Sequence, residues 1–144
     1  MHIRRATEDD LATLQSLWDA STRETTFTPY PGQPFAPSLI TEHIGLIAEE
    51  GSEVLGTVYV NMANGTEFGF VFGLYVVPDE RRRGIARALM REVARLLADE
   101  GRGYVVLSVD TPNEQARSLY ERLGFEDAAR VLRVEVARLL ADTV

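Results

Sequence analysis

Leu74-Tyr75-Val76-Val77-Pro78-Asp79-Glu80-Arg81-Arg82-Arg83-Gly84-Ile85-Ala86-Arg87 runs an apolar strand into a three-arginine turn, a glycine and the start of a long amphipathic helix. Backbone N–H groups at a helix N-terminus have no intrahelical acceptor, and the aligned peptide dipoles add partial positive charge there. Arginines placed ahead of such a terminus predict an anion site, and a phosphate suits it.

Downstream, Ile85, Leu89, Val93, Leu96 and Leu97 form one apolar stripe, with Arg87, Arg91 and Arg95 on other faces and glycines 101 and 103 ending the helix. Tyr104 to Val109 is an apolar run that reads as a buried parallel strand. Pro112-Asn113 opens a short helix that aligns Ala116, Leu119, Tyr120 and Leu123 and stops at Gly124. Arg130 to Val136 alternates like a last strand, and the tail from Ala137 is ambiguous.

Upstream, Leu46 to Glu49 and Val54 to Asn61 read as strands joined at Glu50-Gly51-Ser52, and Ala63-Asn64-Gly65-Thr66 supplies the turn into a third strand ending at Val77. Ile3 to Arg5 predicts a first strand, and Thr7-Glu8-Asp9-Asp10 a capped helix start ahead of Leu11, Leu14, Leu17 and Trp18. Between them, Pro29, Pro31, Pro34 and Pro37 forbid regular helix, so residues 22–37 read as a long loop carrying Phe27, Tyr30 and Phe35, followed by a short helix near Ser38 to His43. Antiparallel strands followed by a strand, helix, strand crossover predict an α/β (α+β) chain: a mixed, mostly antiparallel sheet with helices on both faces. The anion turn then falls at the carboxyl end of a strand, where open sheets bind ligands.

At 144 residues the chain reads as a single domain spanning 1–144, large enough to bury a core unaided. With no cysteine, disulfides and thiolate metal sites are excluded, and His2 and His43 alone make a histidine-built zinc site improbable, so no metal is expected. Neither a signal peptide nor a run of about eighteen apolar residues is present, which predicts a cytoplasmic protein with no membrane partner. A net charge of −7 argues against a nucleic-acid surface and makes the positive charge of the arginine turn a local feature.

The chain has no G-x-x-x-x-G-K-[ST], and its single Gly84 cannot make G-x-G-x-x-G. Arg81-x-x-Gly84-x-Ala86 instead resembles the [QR]-x-x-G-x-[GA] signature of the GNAT superfamily of acetyl-CoA-dependent acyltransferases. Asn113-x-x-Ala116-x-x-Leu119-Tyr120-x-x-x-Gly124-Phe125 resembles the superfamily's second signature, and the order of elements matches over roughly residues 1–136. The resemblance implies a GNAT fold with a splayed parallel strand pair, and acetyl-CoA as co-substrate. It implies that Arg81, Arg82, Arg83, Gly84, Ile85, Ala86 and Arg87 hold the pyrophosphate, that the backbone of Leu74, Tyr75 and Val76 pairs with the pantetheine arm, and that Tyr120 protonates the departing thiolate. Asn113 either contacts the coenzyme or caps its helix. The implied reaction is transfer of acetyl to a primary amine by direct attack; the alternative is a non-catalytic acyl-CoA sensor or regulatory module. A homodimer is compatible with the sequence but not demanded by it.

An amine must be neutral to attack a thioester, and the superfamily's usual glutamate positions correspond here to Phe70 and Ser108. Glu67 lies on the opposite strand face from Phe70. Glu24, Asp110 or ordered water leading to bulk solvent remain as proton acceptors, and the acceptor amine is not identified. Phe68, Phe70 and Phe72 read as core or as acceptor-pocket wall.

Overall fold

The computed structural model describes residues 1–24, 34–63, 65 and 67–141. Phe27, Tyr30, Pro29, Pro31, Asn64 and Thr66, singled out in the sequence, lie outside the described residues. Five strands form one sheet in sequential order: β1 (His2–Arg5), β2 (Ile44–Glu50), β3 (Glu53–Asn61), β4 (Phe68–Val76) and β5 (Tyr104–Leu107). The first four pair antiparallel, and β5 joins β4 in parallel after the crossover helix α3 (Ile85–Asp99).

Helices cover both faces because the strands are apolar on both. One face packs Leu46, Val58, Val60 and Val71 against Ile85, Leu89, Val93 and Leu97 of α3, whose stripe is the one its spacing predicts. The other packs Ile47 and Tyr59 against Leu14 of α1 (Leu11–Glu24) and Leu39 of α2 (Ser38–Thr41). The helix start at Thr7 holds, although its first residues, Glu8–Asp10, wind as 3-10 helix. Its Asp10 accepts the Thr7 amide (2.7 Å) and two Arg4 guanidinium bonds (2.8 and 2.9 Å), while Arg4 also reaches Glu49 on β2 (3.0 Å). That cluster ties the entry of α1 to the sheet.

One irregularity sets the geometry of β4. Opposite β3, Thr57 pairs with Tyr75 but Tyr59 pairs with Phe72, so β4 carries an extra residue between them. Gly73 (φ 65°) absorbs it in the left-handed region. The bulge inverts the alternation beyond it. Phe72 and Tyr75 share the α1 face, and Val71, Leu74 and Val76 share the α3 face.

Three expectations need correction. Helix α1 continues to Glu24, so residues 22–24 belong to it and not to the loop read from 22 to 37. Tyr104 to Val109 is not a buried strand: β5 ends at Leu107, with Tyr104 68% and Val106 37% exposed. It is the sheet edge, so its side chains alternate between half-buried and exposed. Nor do residues 130–136 form a strand; they run irregularly into the short helix α5 (Val136–Ala141), with Val131 and Leu132 exposed. Alternation supplies a strand's pattern but not its hydrogen-bond partner, and a lone strand leaves its backbone unpaired. The helix carrying Tyr120, α4 (Glu114–Arg122), forms as expected.

Gly73→Val should destabilise the protein by roughly 2–4 kcal/mol, because a Cβ there lies 2.6 Å from Tyr59 Cδ2 and 3.1 Å from Trp18 Cζ3 at a positive φ. Urea denaturation measures the loss. The hydrogen bonds from Arg4 lower the Asp10 pKa from 3.8 to about 2. With the folded pKa below the unfolded one, this stabilisation is full above about pH 4 and is lost as pH falls toward 2. Asp10→Asn should therefore cost on the order of 1–2 kcal/mol at pH 7, after allowance for solvent screening, and little at pH 2, as thermal melts at the two pH values will report.

Candidate active site

Only the first half of β4 has a neighbour on its outer side. Pairing with β5 runs from Phe68–Tyr104 to Val71–Leu107, and from Phe72 to Val76 no strand among the described residues lies beyond β4. The outer edge of Leu74, Tyr75 and Val76 has no strand partner among the described residues, although the Val76 carbonyl accepts a bond from Arg81, and it leads directly into the arginine turn. This is the splay that the resemblance implies.

The turn begins with Pro78–Glu80 as a single 3-10 turn, continues through extended Arg81 (φ −70°, ψ 159°), and reaches α3 through Gly84 (φ 78°). Arg82 (φ 68°) is the one described non-glycine residue with positive φ. Such a conformation costs on the order of 1 kcal/mol or more and concentrates at functional sites. The Ala88 amide makes the bond to the Gly84 carbonyl (3.0 Å), so the amides of Ile85, Ala86 and Arg87 lie in the turn ahead of it. A Cβ built on Gly84 meets nothing within 4 Å, so the space before these amides is open. Open space, forward-pointing amides and nearby guanidinium groups fit a pyrophosphate.

The arginines divide into two groups. Arg81 stacks over the Tyr75 ring (5.5 Å to its centroid) and donates to the Val76 carbonyl (2.9 Å) and to Glu24 Oε2 (2.7 Å). Arg83 is held by Glu50 (2.9 Å) and by Glu80. The exposed side chains of Arg82 and Arg87 have no partner among the described residues and remain available to an anion. Ile85 is buried in the core, so its contribution is its amide rather than its side chain.

Glu24, one of the proton acceptors the sequence leaves open, is engaged. Its carboxylate takes the Tyr75 hydroxyl (2.8 Å) as well as Arg81, and the Arg81 hydrogen bond chiefly holds its pKa below the usual glutamate range. The same contact and burial push the Tyr75 phenol up, burial first. A carboxylate held down by arginine is a poor base near neutral pH.

Tyr120 is half-buried on α4, its ring edge-on to Phe125 (5.6 Å, 63°), and burial raises its phenol pKa. It therefore carries its proton at neutral pH, as an acid must. Asn113 caps α4, its Oδ1 accepting the Ala116 amide (3.2 Å). Phe70 and Ser108 leave the two glutamate positions empty.

On the α1 face, Phe72 stacks against Tyr59 (5.4 Å, 18°) and lies near Trp18 (6.5 Å), which also meets Phe35 (6.1 Å). His43 sits edge-on to Phe72 (5.6 Å, 86°). The sequence reading weighs His43 only as a metal ligand. Its place just ahead of β2, in step with inward-facing Gly45 and Ile47, is the signal that marks it as part of this face.

Residues 11–125 match the "Acetyltransferase (GNAT) family". The fold and the splayed, arginine-flanked edge define an acyltransferase scaffold, and with that match the chain belongs to the GNAT acetyltransferase family. It is 37% identical to human N-acetyltransferase 8 over 71 residues, which is 49% of this chain and 31% of that protein. A mouse relative, probable N-acetyltransferase family 8 member 5, is 32% identical over 98 residues, covering 65% of this chain and 43% of that protein. The chain thus spans less than half of these relatives' length. Among solved structures it superposes on a GCN5-related N-acetyltransferase from Ralstonia eutropha JMP134 with TM-score 0.72 at 23% identity, covering 93% of this chain and 97% of the other. A predicted acetyltransferase with acetyl-CoA from Clostridium acetobutylicum gives TM-score 0.74 at 16% identity, covering 95% and 97% of the two chains. Among the described residues, no helix is long and apolar enough to cross a membrane, and no cluster of three or more metal-ligating side chains occurs.

Gly84→Glu should weaken acetyl-CoA binding at least tenfold by placing negative charge before the helix amides, while costing about 1 kcal/mol in stability for the positive φ. Calorimetric titration alongside a melting curve measures both.

Proposed function

We propose that the chain is an N-acetyltransferase that moves acetyl from acetyl-CoA to a primary amine by direct attack. The observation that carries the reading is the continuity of the free β4 edge, residues 72–76, with the open anion turn at Arg82, Gly84 and Arg87. An extended pantetheine arm can pair with the first as an added strand while its pyrophosphate meets the second. Arg81 acts indirectly in this reading, fixing the end of β4 through the Val76 carbonyl while Arg82 and Arg87 meet the phosphates. The same edge places the thioester carbonyl against strand amides, which polarise it and orient it for attack. Tyr120, protonated and half-buried, donates to the leaving thiolate, whose thiol has an ordinary pKa of about 8.5. Asn113 is read as the helix cap alone. The aromatic face of Trp18, Phe35, Tyr59 and Phe72 suits an amine carrying an apolar body.

The empty glutamate positions at Phe70 and Ser108 favour a second reading, an acyl-CoA-binding sensor without turnover. Thiol release over a panel of amines separates the two, since a sensor binds acetyl-CoA and releases nothing. In an active assay, Tyr120→Phe should lower kcat by about tenfold to a hundredfold and leave acetyl-CoA affinity within twofold. Unchanged turnover removes Tyr120 from the acid role.

A further inference from the structure

Three buried side-chain atoms make no hydrogen bond among the described residues: His43 Nδ1, Thr57 Oγ1 and Tyr59 OH. Leaving such an atom unpaired is costly, so proteins keep few of them and often at sites of use. All three belong to the α1 face. Thr57 and Tyr59 alternate along β3 with Val58 and Val60, which face α3, and His43 reaches the same side through Phe72. The Thr57 hydroxyl neighbours Tyr59, whose phenol is pushed up to about 12 chiefly by burial; it stays a donor and cannot serve as a base.

His43 differs from the two hydroxyls because a neutral imidazole can take up a proton. Its location matches the missing function. The β2–β3 register pairs Ile44 with Val60, which sets His43 opposite Asn61, and Asn61 pairs with Phe70. His43 and Phe70 thus stand in one cross-strand row, two strands apart, or about 10 Å between backbones. Phe70 and Phe72 point to one face by the period of two, and the His43 ring lies 5.6 Å from the Phe72 ring. The imidazole therefore borders the patch where a glutamate at position 70 would present its carboxylate. Phe72 is also the first residue of the free β4 edge. Glu24 is tied to Arg81 and Tyr75, and Asp110 is engaged in an interaction of its own.

Building on the N-acetyltransferase reading, we propose that His43 is the general base, its Nδ1 closed off in the ligand-free protein and meeting the acceptor ammonium only when the acceptor enters beside Phe72 from the α1 side of β4. In the Nε2–H tautomer, Nδ1 presents an unshared lone pair. The ammonium gives one proton to Nδ1 and becomes a neutral amine, whose lone pair forms the C–N bond to the thioester carbonyl. Collapse breaks the C–S bond, the thiolate takes the Tyr120 proton, and the phenolate recovers a proton from the new amide nitrogen. His43 returns its proton to solvent, so the products are an amide, a free thiol and one proton. The adjoining aromatic face selects a primary amine on an apolar body.

His43→Asn and His43→Gln test the assignment, because each amide can hydrogen-bond near one ring nitrogen and neither can accept a proton. With acetyl-CoA and a panel running from hexylamine and phenethylamine to a peptide α-amine, both variants should lose about a hundredfold in kcat while acetyl-CoA affinity stays within twofold. Turnover within twofold of the parent overturns the proposal, as does a loss of turnover that merely follows lost acetyl-CoA affinity. With two histidines in the chain, the imidazole of His43 can also be followed by NMR in the unaltered protein. Its resonance should move when a turned-over amine is added with desulfo-coenzyme A, and a stationary resonance overturns the proposal even where the variants do not fold. A parent protein that binds acetyl-CoA but releases no thiol with any amine overturns the enzyme reading itself, and the role of His43 with it.

Discussion

The extra residue that β4 carries opposite β3 is the constraint on which the site depends. An ordinary strand from Phe68 to Val76 would put Phe72, Leu74 and Val76 on one face and Val71, Gly73 and Tyr75 on the other. With Gly73 bulged, Leu74 and Val76 turn to α3 and Tyr75 turns to α1, where its hydroxyl meets Glu24. Bulged strands bend and twist more strongly, and the bulge follows immediately on Val71, where pairing with β5 ends. One glycine thus sets both which side chains face each helix and where the sheet opens. The two aromatic rings over Gly73, Trp18 and Tyr59, fill the space that a side chain would occupy, so the opening is built into the core rather than left to a loop.

Charge around the opening is arranged on the same scale. In a chain of net charge −7 the positive charge of the turn is local, and among the described residues some of its arginines are paired and others are not. Arg81 and Arg83 spend their charge on Glu24, Glu80 and Glu50, and in doing so fix the ends of α1, β2 and β4 relative to the turn. These are exposed pairs whose individual energies are small. Their effect is geometric: they hold the backbone that presents the α3 amides, while Arg82 and Arg87 have no partner among the described residues. Arg82 in the left-handed region is consistent with that division, since a strained residue persists only where neighbours on both sides are fixed.

Much of this was legible in the sequence. The α3 stripe, the hairpins of β2 to β4 and the turn that leads from β4 into α3 follow from periodicity and turn chemistry because local pattern and global packing agree there. The bulge was not legible, because Phe-Gly-Phe-Val-Phe-Gly-Leu alternates well enough to pass for a regular strand, and the face inversion shows only once β3 is aligned beside it. Tyr104 to Val109 and residues 130–136 misled for a related reason: apolarity and alternation describe what a strand requires, not whether a neighbour is there to supply it. At the turn, the motif shows where the α3 amides and the arginines fall but not which arginines lack a partner among the described residues. That depends on Glu24 and Glu50, far away in sequence and near in space. His43 reads from the sequence only as a metal ligand, because one histidine ahead of a strand carries no spacing that ties it to a sheet face.

In the proposed reading the sheet separates two tasks by face and by edge. Donor-side features sit on the β4 edge and on α3, whose amides and packing are set by the turn and by the Val71, Leu74 and Val76 contacts. Acceptor-side features sit on the α1 face, among Trp18, Tyr59, Phe72 and His43. The faces share β4 but few side chains, because alternation sends neighbouring residues to opposite sides. In that reading a change of acceptor chemistry can be made on the α1 face without disturbing the N-terminus of α3. An empty position 70 is compatible with that logic, because a base for the amine needs only to reach the α1 side of the open edge, and a residue on β2 or its approach can do so as well as one on β4.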